Sequence, residues 1–266
     1  MSPSWLDPFD PAVFTAFSAS HWTAAAIVLL TAMLLYLGRK QLAHHHRARL
    51  TVRYGLLVLL VVSEVTLDVW YVHGGVWDAR TTLPLELCSV SLVLAAVLLL
   101  TRSRLLYQIV LFAGFMGALQ AVLTPNLSYA FPHYRFLQFF AAHGAIILTP
   151  LYMTWVEGFR PTWRSVGIAM VFLNLLALAV GMVDALIGAN YMFLMGKPST
   201  PSVLDWFGPY PYYIAAEEVL AFGLFSLMYG LFFVRKREVK KETEPAEASE
   251  QSLNSPAPEL IPDPPG

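Results

Sequence analysis

Seven apolar runs alternate with shorter polar stretches along the chain, at 22–38, 54–72, 83–101, 105–124, 136–157, 164–187 and 211–234. Each approaches the ~20 residues a helix needs to cross the hydrocarbon core of a bilayer. A backbone with unpaired N–H and C=O groups cannot face lipid, so each run predicts a helix rather than a strand. The expected fold is therefore all-α, a polytopic membrane protein built as a seven-transmembrane-helix bundle.

The polar stretches between the runs are asymmetric. Arg39, Lys40, Arg47, Arg49 and Arg53 follow the first run, and Arg102 and Arg104 the third. Arg160 and Arg164 follow the fifth, and Arg235, Lys236, Arg237, Lys240 and Lys241 the seventh. Arg80, Arg135 and Lys197 fall in the other set of loops. By the positive-inside rule the first set is cytoplasmic, the N-terminus outside and the C-terminus inside. Residues 1–20 carry no basic n-region, and Phe9, Phe14 and Phe17 suit an extracytoplasmic segment lying at the interface. The transmembrane domain is then 21–237. Residues 238–266, rich in Pro, Glu and Ser, read as a disordered cytoplasmic tail.

Composition agrees: hydrophobic residues make up 57% and charged residues 13%, more apolar surface than one soluble core can hide. The formal net charge of −1 gives no reason to expect nucleic acid as a partner, and a single cysteine allows no intramolecular disulfide. Membrane lipids are the expected partners, and a bacterial cytoplasmic membrane the expected location. No His, Cys and Asp spacing matches a metal signature, no G-x-S-x-G elbow or phosphate-cradling glycine loop is present, and no lysine lies in the seventh run to form a retinal Schiff base. No cofactor is expected.

The polar residues inside the runs cluster by depth. Glu64, Asp68 and Tyr71 share one face at i, i+4, i+7. Glu86 and Cys88 open the third run, Gln120 ends the fourth, and Gln138 and His143 lie early in the fifth. Asn174, Gly181 and Asp184 form a stripe on the sixth, and Tyr213, Glu217 and Glu218 open the seventh. All fall toward the outer side, as a polar pocket in the outer half of the bilayer would require. Asn174 suits a hydrogen bond between helices, and Gly114, Gly117, Gly144, Gly167 and Gly181 suit close helix packing. Thr82 can cap the third helix, with Pro84 in its first turn. Cys88 then lies near a positive helix terminus, and His143 is a base at comparable depth. The stretch 188–211 combines breakers with Trp and Tyr, as an ordered lid at the interface would, with Asn190 as polar support and Lys197 able to attract lipid phosphate.

Three stretches, "LPLELCSVSLVLA" (83–95), "FFAAHGAIILTPLYM" (139–153) and "NYMFLMGKPSTPSVLDWFGPYPYYI" (190–214), resemble the YwaF-type family of bacterial integral membrane proteins. That family is distantly similar to the eukaryotic transmembrane protein 164 group, for which Cys- and His-dependent phospholipid acyltransfer is proposed. The resemblance implies Cys88 as nucleophile and His143 as base. Relatives often carry histidine where this chain has Glu86. Two function classes stay open. One is a lipid acyltransferase or related lipid enzyme, with Glu64, Asp68, Glu86, Asn190, Lys197, Tyr213 and Glu217 binding substrate. The other is a small-solute or proton-coupled transporter or binding protein that uses Glu64 and Asp68.

The charge pattern has a direct test. Reporter fusions within 44–49 and after Lys241 are both expected to score cytoplasmic; a periplasmic signal at either site refutes the orientation.

Overall fold

The computed structural model describes residues 4–10, 13–197 and 203–233. They form α1 (Ala19–His44), α2 (His46–His73), α3 (Leu87–Thr101), α4 (Arg104–Leu123), α5 (Tyr134–Trp155), α6 (Trp163–Ile187) and α7 (Tyr212–Phe232), and no strand occurs among them. Six of these helices are long and apolar enough to cross a membrane, whereas α3 is apolar but has only 15 residues. The tail expected to be disordered lies outside the described residues.

Two boundaries differ from the sequence reading. The polar stretch after the first apolar run is no loop. α1 and α2 continue through it and break only at His45, whose φ of −97° and ψ of 99° are extended. Lys and Arg are good helix formers, so a polar stretch need not be a break. The third helix starts at Leu87 rather than 83, with Glu86 as N-cap (φ −65°, ψ 147°). Thr82 is spent in the preceding turn, where its hydroxyl donates to the Asp78 carbonyl at 2.8 Å and accepts from the Asp78 N–H at 3.1 Å. Leu83 precedes a proline, which disfavours helix. Its N–H is taken by the Tyr191 hydroxyl at 2.8 Å.

α5 is the central element: almost every side chain from Phe136 to Thr154 is buried. Side-chain contacts fix the direction of its neighbours. Phe140, Gly144 and Trp155 meet His21, Val28 and Tyr36 in order, so α1 runs parallel to α5. α2 is antiparallel: Tyr134 bonds Thr66, Gln138 reaches the Ser63 carbonyl, and Tyr152 lies against Arg49. α4 is antiparallel too, because the Tyr107 hydroxyl meets Thr154 at 2.8 Å near one end while His21 joins Val122 and Phe140 near the other. On α4 a π turn at Val110–Gly114 interrupts the α pattern.

Glycines bring α3 and α4 together. A Cβ on Gly114 would lie 3.2 Å from the Ser91 Cβ, and one on Gly117 would lie 3.2 Å from a Leu87 methyl. Gly144 stands equally close to Val28. Gly181 makes ordinary contact with Met195 and Leu194, and Gly167 faces open space.

Alternating helix directions collect the basic loops at one end of the bundle. There Glu157, just past α5, buries its carboxylate with 2% of the side chain exposed. It pairs with Arg102, approaches Arg49 Nε at 3.8 Å, and accepts the Tyr152 hydroxyl at 2.7 Å. Arg53 donates to the Leu99 and Leu100 carbonyls, closing the end of α3 onto α2.

Substituting Gly114→Ala forces a contact that Ser91 cannot leave, so it is expected to lower stability by about 1–3 kcal/mol, read as a fall in Tm in detergent. Gly167→Ala, with open space at its Cβ, should leave Tm unchanged or raise it. Equal behaviour of the two refutes the packing assignment.

Candidate functional site at the start of α3

Glu86 enters α3 in extended conformation but does not cap it with its side chain; Oε2 turns away and accepts the Met192 N–H at 3.1 Å. The first helical carbonyl acceptor is used by Val90. The N–H groups of Leu87, Cys88 and Ser89 therefore find no acceptor among the described residues. Cys88, the second residue of the helix, sits among donors at the positive end of the dipole. The cysteine is half-buried and packs against the main apolar core.

His143 is buried on α5. Its Nδ1 lies 2.7 Å from the Phe139 carbonyl oxygen, which can only accept, so Nδ1 carries the proton. In neutral imidazole Nε2 then keeps a free lone pair. The ring also packs on Phe139, centroid to centroid at 4.1 Å. Helix register places the two residues at similar depth. Ten residues up α4 from Tyr107 and ten back along α5 from Thr154 reach Gly117 and Gly144, and Gly117 touches Leu87. α3 and α5 pack directly on each other. Among the described residues, no hydrogen bond joins Cys88 to His143.

The other candidates fall into two groups. Glu64 is half-buried and Asp68 exposed on α2, and among the described residues neither makes a hydrogen bond. The remainder gather at the segment between α6 and α7. Asn190 makes three bonds inside that segment: Oδ1 accepts the N–H groups of Met195 (2.8 Å) and Gly196 (3.1 Å), and Nδ2 donates to the Gly196 carbonyl at 2.8 Å. Lys197 lies 3.8 Å from Asp205 and over the ring of Tyr213, which is buried with its hydroxyl donating to the Phe193 carbonyl. Glu217 is half-buried on α7. Its neighbour Glu218 accepts the Asn174 amide at 2.8 Å, a bond between α6 and α7.

This segment covers the start of α3. Met192 and Phe193 adopt positive φ (53° and 54°), a conformation costing about 1–2 kcal/mol per residue. Glu86 on the Met192 N–H and Tyr213 on the Phe193 carbonyl hold it. Tyr191 is 2% exposed; its hydroxyl donates to the Ala79 carbonyl at 2.9 Å and accepts from Leu83. Burial, against the opposing effect of the Leu83 N–H, holds the Tyr191 phenol above its ordinary pKa, so the bridge stays protonated. Its own N–H is taken by Asp184 Oδ1 at 3.1 Å. Sequence reasoning missed Tyr191, because its partners lie 108 and 112 positions away.

Two clefts of about 260 Å³ stand out. One lies at the end of α2, lined by Trp70, Tyr71, Tyr129 and Arg135 among others. The second is an apolar groove among α1, α2 and α5. Glu64, Asp68, Glu86, Cys88 and His143 line neither.

Replacing Tyr191 with Phe leaves the half-buried Leu83 N–H and Ala79 carbonyl without their partner, at a cost of about 1 kcal/mol. Limited proteolysis should then cut faster within 74–86. Unchanged protection would show that the hydroxyl does not fasten the segment.

Residues 16–229 match the TMEM164 family, from just before α1 into the last turn of α7. A protein of Treponema pallidum (strain Nichols), named only as an uncharacterized protein, is 27% identical over 199 residues, covering 71% of this chain and 78% of its own length. No solved structure matches the chain. With helices of membrane-crossing length and apolarity across the matched region, the chain belongs to the TMEM164 family and is a multi-pass membrane protein.

Proposed function

We propose that the protein is a Cys/His-dependent phospholipid acyltransferase of the YwaF type, with its N-terminus outside the bacterial cytoplasmic membrane and its reaction in the outer half of the bilayer. One observation carries this reading. A cysteine in the uncapped first turn of α3 lies near the depth of a buried histidine whose Nδ1 is committed to a carbonyl, which leaves Nε2 free to take a proton.

The chemistry follows from these groups. The Cys88 thiol gives its proton to His143 Nε2 as the sulfur attacks the ester carbonyl of a donor phospholipid. The free N–H groups of the first turn lie where donors to the developing oxyanion are needed. The C–O bond breaks, His143 returns the proton to the leaving glycerol oxygen, and the acyl group remains as a thioester on Cys88. An acceptor lysophospholipid hydroxyl then loses its proton to His143, attacks the thioester, and the thiol re-forms. For the first transfer the sulfur and Nε2 close to ~3–4 Å. Glu64, Asp68, Glu86, Lys197 and Glu217 supply polar contacts to substrate, while Asn190 and Tyr213 shape the covering segment.

Incubation of the purified protein with a long-chain phospholipid donor should leave a hydroxylamine-labile acyl group on Cys88. Cys88→Ser should abolish it, and His143→Ala should slow its formation by roughly 10²–10⁴-fold. An unlabelled wild-type protein, or a label that survives Cys88→Ser, refutes the assignment.

A further inference from the structure

The cleft at the end of α2 holds a cation that makes no direct ion pair among the described residues. Arg135, in the first turn of α5, donates to Gln138 Oε1 and stacks 5.8 Å from the ring of Tyr71. Gln138 is itself oriented by the Ser63 carbonyl at 3.2 Å. Among the described residues Arg135 interacts with the Glu64 carboxylate only through space, without the direct ion pair that Arg102 makes with Glu157 or Lys197 with Asp205. A guanidinium has five N–H donors, so most of this fork is open. Around it, the side chains of Thr81, Asn126 and Ser128 line the same cleft and hydrogen-bond to no other described residue.

These groups match an oxyanion with several acceptor oxygens. Planar bidentate contact from arginine, backed by hydroxyl and amide donors, is how phosphate is held. The walls beside it are aromatic. Trp70 is fixed by its indole N–H on the Leu6 carbonyl at 2.8 Å, and Tyr129 by its hydroxyl on the Pro8 carbonyl at 2.9 Å. Such faces suit an ammonium group. The cleft lies where α2 ends and α5 begins, with Trp and Tyr around it, the composition found at headgroup depth. Its volume of about 260 Å³ has room for a headgroup and none for acyl chains.

We propose that this cleft binds the headgroup of a zwitterionic glycerophospholipid, with the phosphate on Arg135, Asn126 and Ser128 and the ammonium against Trp70, Tyr71 and Tyr129. The site deepens the acyltransferase reading by naming the kind of lipid held, yet it does not use the cysteine. Binding is therefore measured on the full-length Cys88→Ser protein, which separates failure of this site from failure of the thioester chemistry.

Calorimetric titration in detergent would use dihexanoyl phosphatidylethanolamine, dihexanoylglycerol and inorganic phosphate as separate probes. The phosphatidylethanolamine should bind saturably, and Arg135→Gln should weaken it at least about tenfold, the loss expected for a charge-assisted phosphate contact. Arg135→Lys should restore part of the affinity. Dihexanoylglycerol should bind weakly and alike to both proteins. If Arg135→Gln does not fold, Asn126→Ala with Ser128→Ala decides, since it should weaken binding with Tm unchanged. Inorganic phosphate binding as tightly as the phospholipid overturns the lipid assignment in favour of free phosphate. Equal affinity in the Cys88→Ser protein with and without either further substitution overturns the site.

Discussion

Burial of α5 on nearly all sides is the constraint from which the other helices take their positions. A helix enclosed by protein cannot leave polar side chains unpaired. Those deep in α5 are partnered at home or by one neighbour, with His143 Nε2 left over. Thr149 and Thr154 donate to carbonyls of their own helix at 2.9 and 2.7 Å, His143 does the same through Nδ1, and Gln138 reaches across to α2. The Thr154 bond falls on the carbonyl of Pro150, in the stretch where proline removes a ladder donor. Because these groups demand little from outside, the surrounding helices can approach through Val28, Leu60 and Ala95 and pack as apolar surfaces.

The two ends of the bundle are finished differently, and that difference decides where chemistry is available. At the basic end Glu157 brings α2, α3 and α5 to one buried carboxylate, shared by two arginines and a tyrosine. Removing one partner from such a cluster strands a buried charge at a cost of about 3–5 kcal/mol. That end is closed by its own ion pairs. At the opposite end the carboxylates of Glu64 and Asp68 make no hydrogen bond or direct ion pair among the described residues, and the first turn of α3 has free N–H groups. Polar capacity left unused by the fold is capacity for a ligand.

Much of this could be read in the chain because it depends on local pattern. Apolar runs gave the helices, and Gly114, Gly117 and Gly144 mark the close contacts because a missing side chain has only that use in a packed helix pair. Asn174 was legible for a similar reason: a lone amide on an apolar helix needs a partner, and Glu218 supplies it. What stayed hidden depends on residues far apart in sequence. The start of α3 at Leu87 follows from Tyr191 and Met192 taking the polar groups of Leu83 and Glu86, and nothing near Pro84 announces it. Glu157 and Arg135 each look like ordinary loop or helix-end charges until the fold gives the first its two arginines and sets the second on Gln138 and Tyr71 at the edge of a cleft.

The shortness of α3 follows from the same long-range contacts and sets the depth of the candidate site. Fifteen residues at ~1.5 Å each extend only about 22 Å, short of the ~30 Å hydrocarbon core. Leu87 meets Gly117, six residues before the end of α4 at Leu123, so α3 begins roughly 9 Å below that end. The chain from Gly75 to Glu86 must occupy the remaining depth as turns rather than as continuous helix. Irregular backbone at membrane depth is tolerated only where protein covers it or water reaches it. Here the 191–196 segment provides the cover, with Tyr191 on Ala79 and Leu83 and with Leu83 and Leu85 packed beside Val180 and Ala189. A helix N-terminus set back from its neighbour's end offers its dipole and free donors to a group that enters there. The covering segment therefore does more than close a loop: by stopping α3 at Glu86 it sets Cys88 and three unclaimed N–H groups back from the end of α4.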